Sequence, residues 1–225
     1  MISVMLVDDE ALIRAGLRVL IEASEGFTCV GEAADGATAV RQCRALRPDV
    51  VLMDIRMPGM DGLEATRHIS ADASLLTRVL IVTTFGEDPH VFAALRSGAS
   101  GFVLKDTPPE DLLTAVEVVA AGESLLSPSV TTGLIKAFVA IPDTRARPWR
   151  RAKPDGRLAH LTDREREILL RVAAGLSNTE IAAVLTVSLN TVKTHVSRLL
   201  TKLGCRDRAQ LVVVAYECGL VVAGQ

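Results

Sequence analysis

Short apolar runs alternate with longer amphipathic stretches through the first 125 residues. The runs are Ser3–Val7, Phe27–Ala33, Asp49–Met53, Val79–Thr83 and Gly101–Leu104. They are rich in Val, Ile and Leu and bounded by acids or glycine, the pattern of parallel strands buried on both faces. Between them, segments near 10–23, 35–46, 61–71, 88–97 and 109–121 repeat apolar residues at helical spacing. Five strand–helix units predict an α/β domain with a doubly wound five-stranded parallel sheet. In such sheets ligands gather at the carboxyl ends of the strands, which is where chemistry is to be sought.

The pattern then changes. Residues 126–138 predict a short helix after Ser127-Pro128. Over 140–158, Pro142, Pro148 and Pro154 break all periodicity, and six Lys/Arg face only Asp143 and Asp155. This stretch reads as a linker, with Trp149, the only tryptophan, as a local dock. From 159 the pattern is purely helical. Thr162-Asp163-Arg164-Glu165 and Ser177-Asn178-Thr179-Glu180 are capping boxes, Ser188 fits an N-cap, and Gly175, Gly204 and Gly219 fit helix ends. Four short helices are expected near 163–174, 178–186, 189–203 and 207–218. The expected organisation is therefore a domain at 1–125, a linker helix and linker at 126–158, and a small all-α domain at 159–225.

Charge separates the two halves. Residues 1–125 carry 19 Asp/Glu against 10 Lys/Arg, a net of −9, and residues 126–225 carry 8 against 15, a net of +7. A basic half suits an anionic polymer such as DNA, although chance segregation of surface charge gives the same total. Cys29, Cys43, Cys205 and Cys218 form no CxxC pair, which argues against a zinc site or a disulfide framework. No signal peptide pattern opens the chain, and no apolar run reaches the length that spans a membrane. A cytoplasmic protein without a membrane role is expected.

The strand ends carry the candidate chemistry. The first strand ends in Asp8-Asp9, the third in Asp54, the fourth in Thr83-Thr84 and the fifth in Lys105. In a parallel sheet these ends share one edge, so carboxylates, hydroxyls and an ammonium converge. Clustered carboxylates repel one another and call for a divalent cation with a taste for oxygen, Mg²⁺ or Mn²⁺. An aspartate beside such a cation can accept a phosphoryl group as an acyl phosphate. With Val7-Asp8-Asp9-Glu10, Met53-Asp54-Ile55-Arg56-Met57-Pro58-Gly59-Met60-Asp61-Gly62, Thr83-Thr84-Phe85 and Gly98-Ala99-Ser100-Gly101-Phe102-Val103-Leu104-Lys105, the first 125 residues resemble a response-regulator receiver domain, a flavodoxin-like fold. The resemblance implies that Asp54 is the phosphoacceptor. It implies that Asp9, Asp54 and the Arg56 carbonyl bind the metal directly, with Asp8 acting through water. It implies that Thr83, Thr84 and Lys105 sense the phosphoryl group, that Phe102 turns inward on activation, and that Arg56 and Phe85 flank the path of attacking water. Phe102 is equally readable as a plain core residue.

In the basic half, Val192, Val196, Leu199, Leu200 and Leu203 form one apolar stripe, leaving Lys193, Thr194, Ser197, Arg198 and Thr201 off it. Two short helices joined by Thr186-Val187-Ser188 fit a helix-turn-helix, and the pattern alone also fits a small protein-binding module. Leu161-Thr162-Asp163-Arg164-Glu165, Gly175 through Ala182, Thr191-Val192-Lys193-Thr194-His195-Val196 and Lys202-Leu203-Gly204 resemble a LuxR/NarL-type DNA-binding domain. That resemblance implies base contacts from Lys193, Thr194 and Ser197. It implies phosphate contacts from Ser177, Asn178, Thr191, Arg198 and Lys202, and a dimer contact on the last helix through Leu211, Val212, Val214, Ala215 and Cys218. Glu165 reads as a cap and ion-pair partner, and His195 as a packing residue or phosphate contact.

Together the resemblances imply a two-component response regulator of the NarL/LuxR family. Its partners would be a sensor histidine kinase, promoter DNA, RNA polymerase and a second copy of the chain. A nucleotide-dependent enzyme on the same kind of sheet needs a Gly-rich loop after the first strand, where this chain has Asp8-Asp9-Glu10-Ala11. A constitutive DNA-binding protein with a vestigial receiver predicts a broken acidic set, and this set is intact.

Overall fold

Val4, Met5, Leu6 and Val7 are all buried at 1% exposure or less, so the first apolar run is covered on both faces. The computed structural model describes residues 1–84, 93–122 and 156–221. It divides into two units, Met1–Leu125 and Leu126–Gln225.

In the first unit the strands are β1 (Ile2–Val7), β2 (Phe27–Ala33), β3 (Val50–Met53), β4 (Arg78–Thr83) and β5 (Gly101–Leu104). They form one parallel sheet in the order β2-β1-β3-β4-β5. The helices are α1 (Ala11–Ala23), α2 (Gly36–Leu46), α3 (Gly62–Ala71) and α4 (Pro109–Ala120). Residues 93–96 are helical, and the rest of the helix expected at 88–97 falls outside the described residues, as does Phe85. Alternation along the strands sorts the core. Val4, Leu6, Leu52, Leu80 and Val82 meet Ile21 of α1 and Leu112, Val116 and Val119 of α4. On the other face Met5 Sδ lies 3.8 Å from Cys43 Sγ of α2. Burying each such Leu, Ile or Val stabilises the fold by roughly 1.5–3 kcal/mol. The helix starts are capped as their sequences suggest: Asp35 Oδ1 accepts from Thr38 N–H at 2.8 Å and Asp61 Oδ1 from Glu64 N–H at 2.7 Å. The order β2-β1-β3 reverses direction between β1 and β3, and a crevice opens at their carboxyl ends.

In the second unit a 3-10 turn (Gly156–His160) precedes α5 (Asp163–Ala173), α6 (Asn178–Leu185), α7 (Leu189–Leu203) and α8 (Arg208–Glu217). The turn includes the last residues of the expected linker. Leu158 is 7% exposed, and its carbonyl accepts from Arg166 Nη2 at 3.0 Å, so it is built into the helical unit. The segments 123–155, with the expected linker helix and Trp149, lie outside the described residues. Both capping boxes are formed, and Thr191 N–H donates to Ser188 Oγ at 3.1 Å. Between α6 and α7 the chain turns through Thr186 in the left-handed region (φ 52°), a position a β-branched residue rarely takes. Ile168, Leu169, Val172, Ile181, Val192 and Leu199 make the core.

In the last helix Leu211, Val212, Val214 and Ala215, residues of the expected dimer contact, are buried, as are Val213 and Tyr216, while Cys218 is half-buried. A helix apolar on all sides is covered on all sides. Among the described residues no helix is long and apolar enough to cross a membrane.

Candidate functional site

The register of the sheet builds the first site. Val7 pairs with Met53, which sets Asp8 and Asp54 side by side one step further along. Asp54 N–H donates to the Val7 carbonyl at 2.8 Å, fixing the backbone of the aspartate. Thr83 pairs with Leu104, and its carbonyl accepts from Lys105 N–H at 2.8 Å, delivering the lysine to the same edge.

The side chains converge. Carboxylate oxygens of Asp8, Asp9 and Asp54 lie within 4.8 Å of one another. Asp8 and Asp54 are buried and Asp9 is exposed. Lys105 Nζ lies 2.7 Å from Asp8 Oδ2, 3.2 Å from Asp54 Oδ2 and 3.5 Å from Glu10 Oε1. Asp54 Oδ1 accepts from Ile55 N–H at 2.8 Å, and Asp8 Oδ1 from Glu10 N–H at 2.9 Å. Burial pushes the Asp54 carboxyl above its ordinary value, and the charge of Asp8 adds to that, while Lys105 works against it. Burial pulls the Lys105 ammonium down, but its bonds to Asp8 and the charges of both aspartates outweigh this and raise it. The lysine therefore stays charged and offsets part of the acidic set. What remains is a cluster of hard oxygen donors with excess negative charge, the chemistry that suits a small divalent cation.

Thr83 is buried at the end of β4, whereas Thr84 is exposed. Phe102 is buried and pairs with Ile81 across β4 and β5. Arg56 has its side chain exposed and, with Asp9, Met57 and Asp61, borders an open cleft of about 520 Å³ beside the acidic cluster.

Two residues given no role by sequence reasoning hold the site in shape. A Cβ on Gly62 would stand 1.8 Å from the Asp54 carbonyl oxygen, and a Cβ on Gly36 would stand 2.6 Å from the Met60 carbonyl oxygen. Gly62 N–H donates to the Ile55 carbonyl at 2.9 Å and Gly36 N–H to Met60 at 3.2 Å. Both are first residues of helices that follow a capping aspartate, a position where glycine has no helical purpose. That oddity was the available signal.

The second site is the outward face of α7. Lys193, Thr194, Ser197 and Arg198 are exposed. Neither Lys193 nor Arg198 has a carboxylate partner among the described residues. Ser177 caps α6, and Asn178 Oδ1 accepts from Arg208 Nη1 at 2.9 Å, while Arg208 also bonds the Leu176 carbonyl. The Thr191 and Ser188 hydroxyls lie 2.8 Å apart. Lys202 is placed differently from expectation: its ammonium lies 2.7 Å from Glu165 Oε2 and 3.4 Å from the His160 carbonyl. It therefore ties α7 to the start of α5 rather than standing free for phosphate.

Glu165 completes its capping box by accepting from Thr162 N–H at 2.9 Å. The Lys202 bond and the cap together hold its carboxyl well below the usual range, at about 2. A depressed carboxylate stabilises the fold above its ordinary value of 4.5, and that contribution is lost as pH falls from there through about 2. Glu165→Gln is expected to lower the stability of the helical unit by roughly 1–2 kcal/mol at neutral pH. Urea unfolding of the full chain should show that difference closing near pH 3. A gap that stays constant with pH rules the ion pair out as its source.

A receiver-type sheet with an acidic cluster at its carboxyl edge, joined to a helix-turn-helix unit, defines a phosphorelay-type regulator of DNA. Residues 4–117 match the response regulator receiver domain and residues 159–215 the luxR family of bacterial regulatory proteins. The chain belongs to the two-component response regulators that join a receiver domain to a LuxR-type DNA-binding domain, and its relatives act as transcription regulators. It is 41% identical over 221 residues to the Bacillus subtilis (strain 168) protein named uncharacterized transcriptional regulatory protein YxjL, covering 98% of this chain and 97% of that one. It is 40% identical over 220 residues to the response regulator protein VraR of Staphylococcus epidermidis (strain ATCC 35984), covering 98% and 99%. The crystal structure of the response regulator ChrA of a heme-sensing two-component system aligns over 98% of both chains, with 37% identity and a TM-score of 0.51.

Proposed function

We propose that a partner histidine kinase phosphorylates Asp54 and that this modification controls sequence-specific binding of promoter DNA by α7. The observation that carries the reading is the convergence of the Asp8, Asp9 and Asp54 carboxylates within 4.8 Å, with Lys105 bonded to two of them. Asp54 attacks the phosphorus of a phosphohistidine; the O–P bond of an acyl phosphate forms, the P–N bond breaks, and the imidazole leaves and takes up a proton. Asp8, Asp9, Asp54 and the Arg56 carbonyl are the residues that would hold Mg²⁺ or Mn²⁺, which when bound neutralises charge on the transferring group. The Ile55 amide keeps Asp54 Oδ1 in place. Lys105 exchanges Asp54 Oδ2 for a phosphoryl oxygen while keeping Asp8. Thr83 donates its hydroxyl to a second phosphoryl oxygen, Thr84 lines the approach, and Phe102 packs behind them. Hydrolysis of the acyl phosphate returns Asp54 to its starting state, so self-phosphorylation and slow self-dephosphorylation are the whole of the chemistry.

On DNA, Lys193, Thr194 and Ser197 face bases, and Ser177, Asn178, Thr191 and Arg198 face phosphates. Lys202 reaches phosphate only by leaving Glu165. A homodimer matches paired half-sites, and RNA polymerase is a further partner. The homodimer forms through α8 when the chain is phosphorylated or DNA-bound.

The test is full-length protein treated with a small phosphodonor and Mg²⁺, with mass, oligomer size and promoter-fragment affinity measured for wild type and Asp54→Asn. Wild type is expected to gain one phosphoryl group and bind roughly 5- to 150-fold more tightly, and Asp54→Asn to do neither. An equal response from both proteins refutes the assignment.

A further inference from the structure

The outward face of α7 carries one recognition-grade side chain beyond those assigned to bases. Val192, Val196 and Leu199 turn into the unit. Stepping back three residues from Lys193, four from Thr194 and seven from Ser197 leads to Asn190, which therefore lies on their face one to two turns nearer the helix N-terminus. The N-terminal turns of a recognition helix are the part that meets base edges. Asn190 is exposed, and its amide has no partner among the described residues. Its backbone carbonyl accepts from the Thr194 hydroxyl at 2.8 Å, which spends the only hydrogen that Thr194 can donate. Lys193 offers donors alone, and Ser197 a single hydroxyl. Asn190 is thus the one side chain on this face with a donor and an acceptor held side by side in a plane. That pair matches the major-groove edge of adenine, which presents the N6 amino group beside the N7 acceptor.

We propose that Asn190 reads an adenine in each half-site, its oxygen accepting from N6–H and its nitrogen donating to N7. Leu189, 40% exposed and one turn before Lys193, packs against the methyl group of a neighbouring thymine. The proposal rests on the reading of α7 as the groove-entering helix. It supplies base discrimination where Thr194 and Ser197 have little reach.

The test is selection from a duplex library with a randomised core, using phosphodonor-treated full-length wild type, Asn190→Ala and Asn190→Asp. Wild type is expected to fix adenine at one position per half-site. Asn190→Ala should lose preference at that position alone, at a cost of roughly tenfold to hundredfold in discrimination, and Asn190→Asp should shift it towards cytosine. Replacing that adenine with 7-deazaadenine should weaken wild type several-fold and leave Asn190→Ala unmoved. An unchanged motif in Asn190→Ala, or a uniform loss at every position as a phosphate contact gives, overturns the proposal alone. A wild type that enriches no sequence overturns the groove reading of α7 and the proposal with it.

Discussion

Lys105→Met should destabilise the receiver unit by about 3–5 kcal/mol in metal-free buffer at neutral pH, and Mg²⁺ should restore much of that loss. The lysine Nζ lies 2.7 Å from Asp8 and 3.2 Å from Asp54, and these aspartates are 2% and 6% exposed. Removing it leaves two buried carboxylates without their cation, and methionine keeps the apolar stem while supplying no charge. Burial already holds the Asp54 carboxyl above its ordinary value with Lys105 in place. A raised carboxyl contributes its stability below its unfolded value and loses it as pH rises through the folded one. The deficit in Lys105→Met is therefore expected to be small in acid and to grow towards neutral pH. A divalent cation can replace the lost charge, so Mg²⁺ should stabilise the variant more than wild type. Urea midpoints at acid and neutral pH, with EDTA or with Mg²⁺, measure both effects. Equal Mg²⁺ shifts in the two proteins would show that Lys105 and the cation do not share the acidic set.

The strands and most helices were readable because both faces of a parallel sheet are buried, so each strand becomes an unbroken apolar run. The site was readable for a related reason: groups at the carboxyl ends of adjacent strands share one edge, and Asp8, Asp54 and Lys105 need no further geometry to be placed together. What sequence could not supply is which of several possible partners a charged group selects. Lys105 had been assigned to a phosphoryl oxygen, and here it bonds Asp8 more closely than Asp54. Lys202 is expected at a DNA phosphate, and here the capping glutamate of α5, two helices earlier in the chain, holds it. Hydrophobic pattern also does not reveal cover. The all-round apolar composition of α8 announced burial, but a dimer and a fold interior bury the same residues. Leu158 was missed for the opposite reason. One apolar residue among basic ones has no period, yet it closes the 3-10 turn ahead of α5.

Gly62→Ala should cost about 3 kcal/mol of receiver stability, and Gly16→Ala, the same change elsewhere, should add about 0.5–1 kcal/mol. The added methyl at Gly62 meets the Asp54 carbonyl oxygen at 1.8 Å and its carbonyl carbon at 2.8 Å. Both are backbone atoms, so no rotamer change relieves the clash. Either α3 moves off the sheet, breaking the 2.9 Å bond from Gly62 N–H to Ile55, or the end of β3 moves. The second course drags the phosphoacceptor out of line with Asp8 and Lys105, and a misplacement near 1 Å can cost about a hundredfold in rate. At Gly16, within α1, an added Cβ meets nothing within 4 Å, and only the entropy of the unfolded chain changes. Urea unfolding, together with the initial rate of phosphodonor labelling, separates the two courses. A slow but stable Gly62→Ala means the strand end yielded, and an unstable one with a normal rate means the helix did. A variant matching wild type in both measurements would remove the close approach of α3 to Asp54 as the reason glycine stands there.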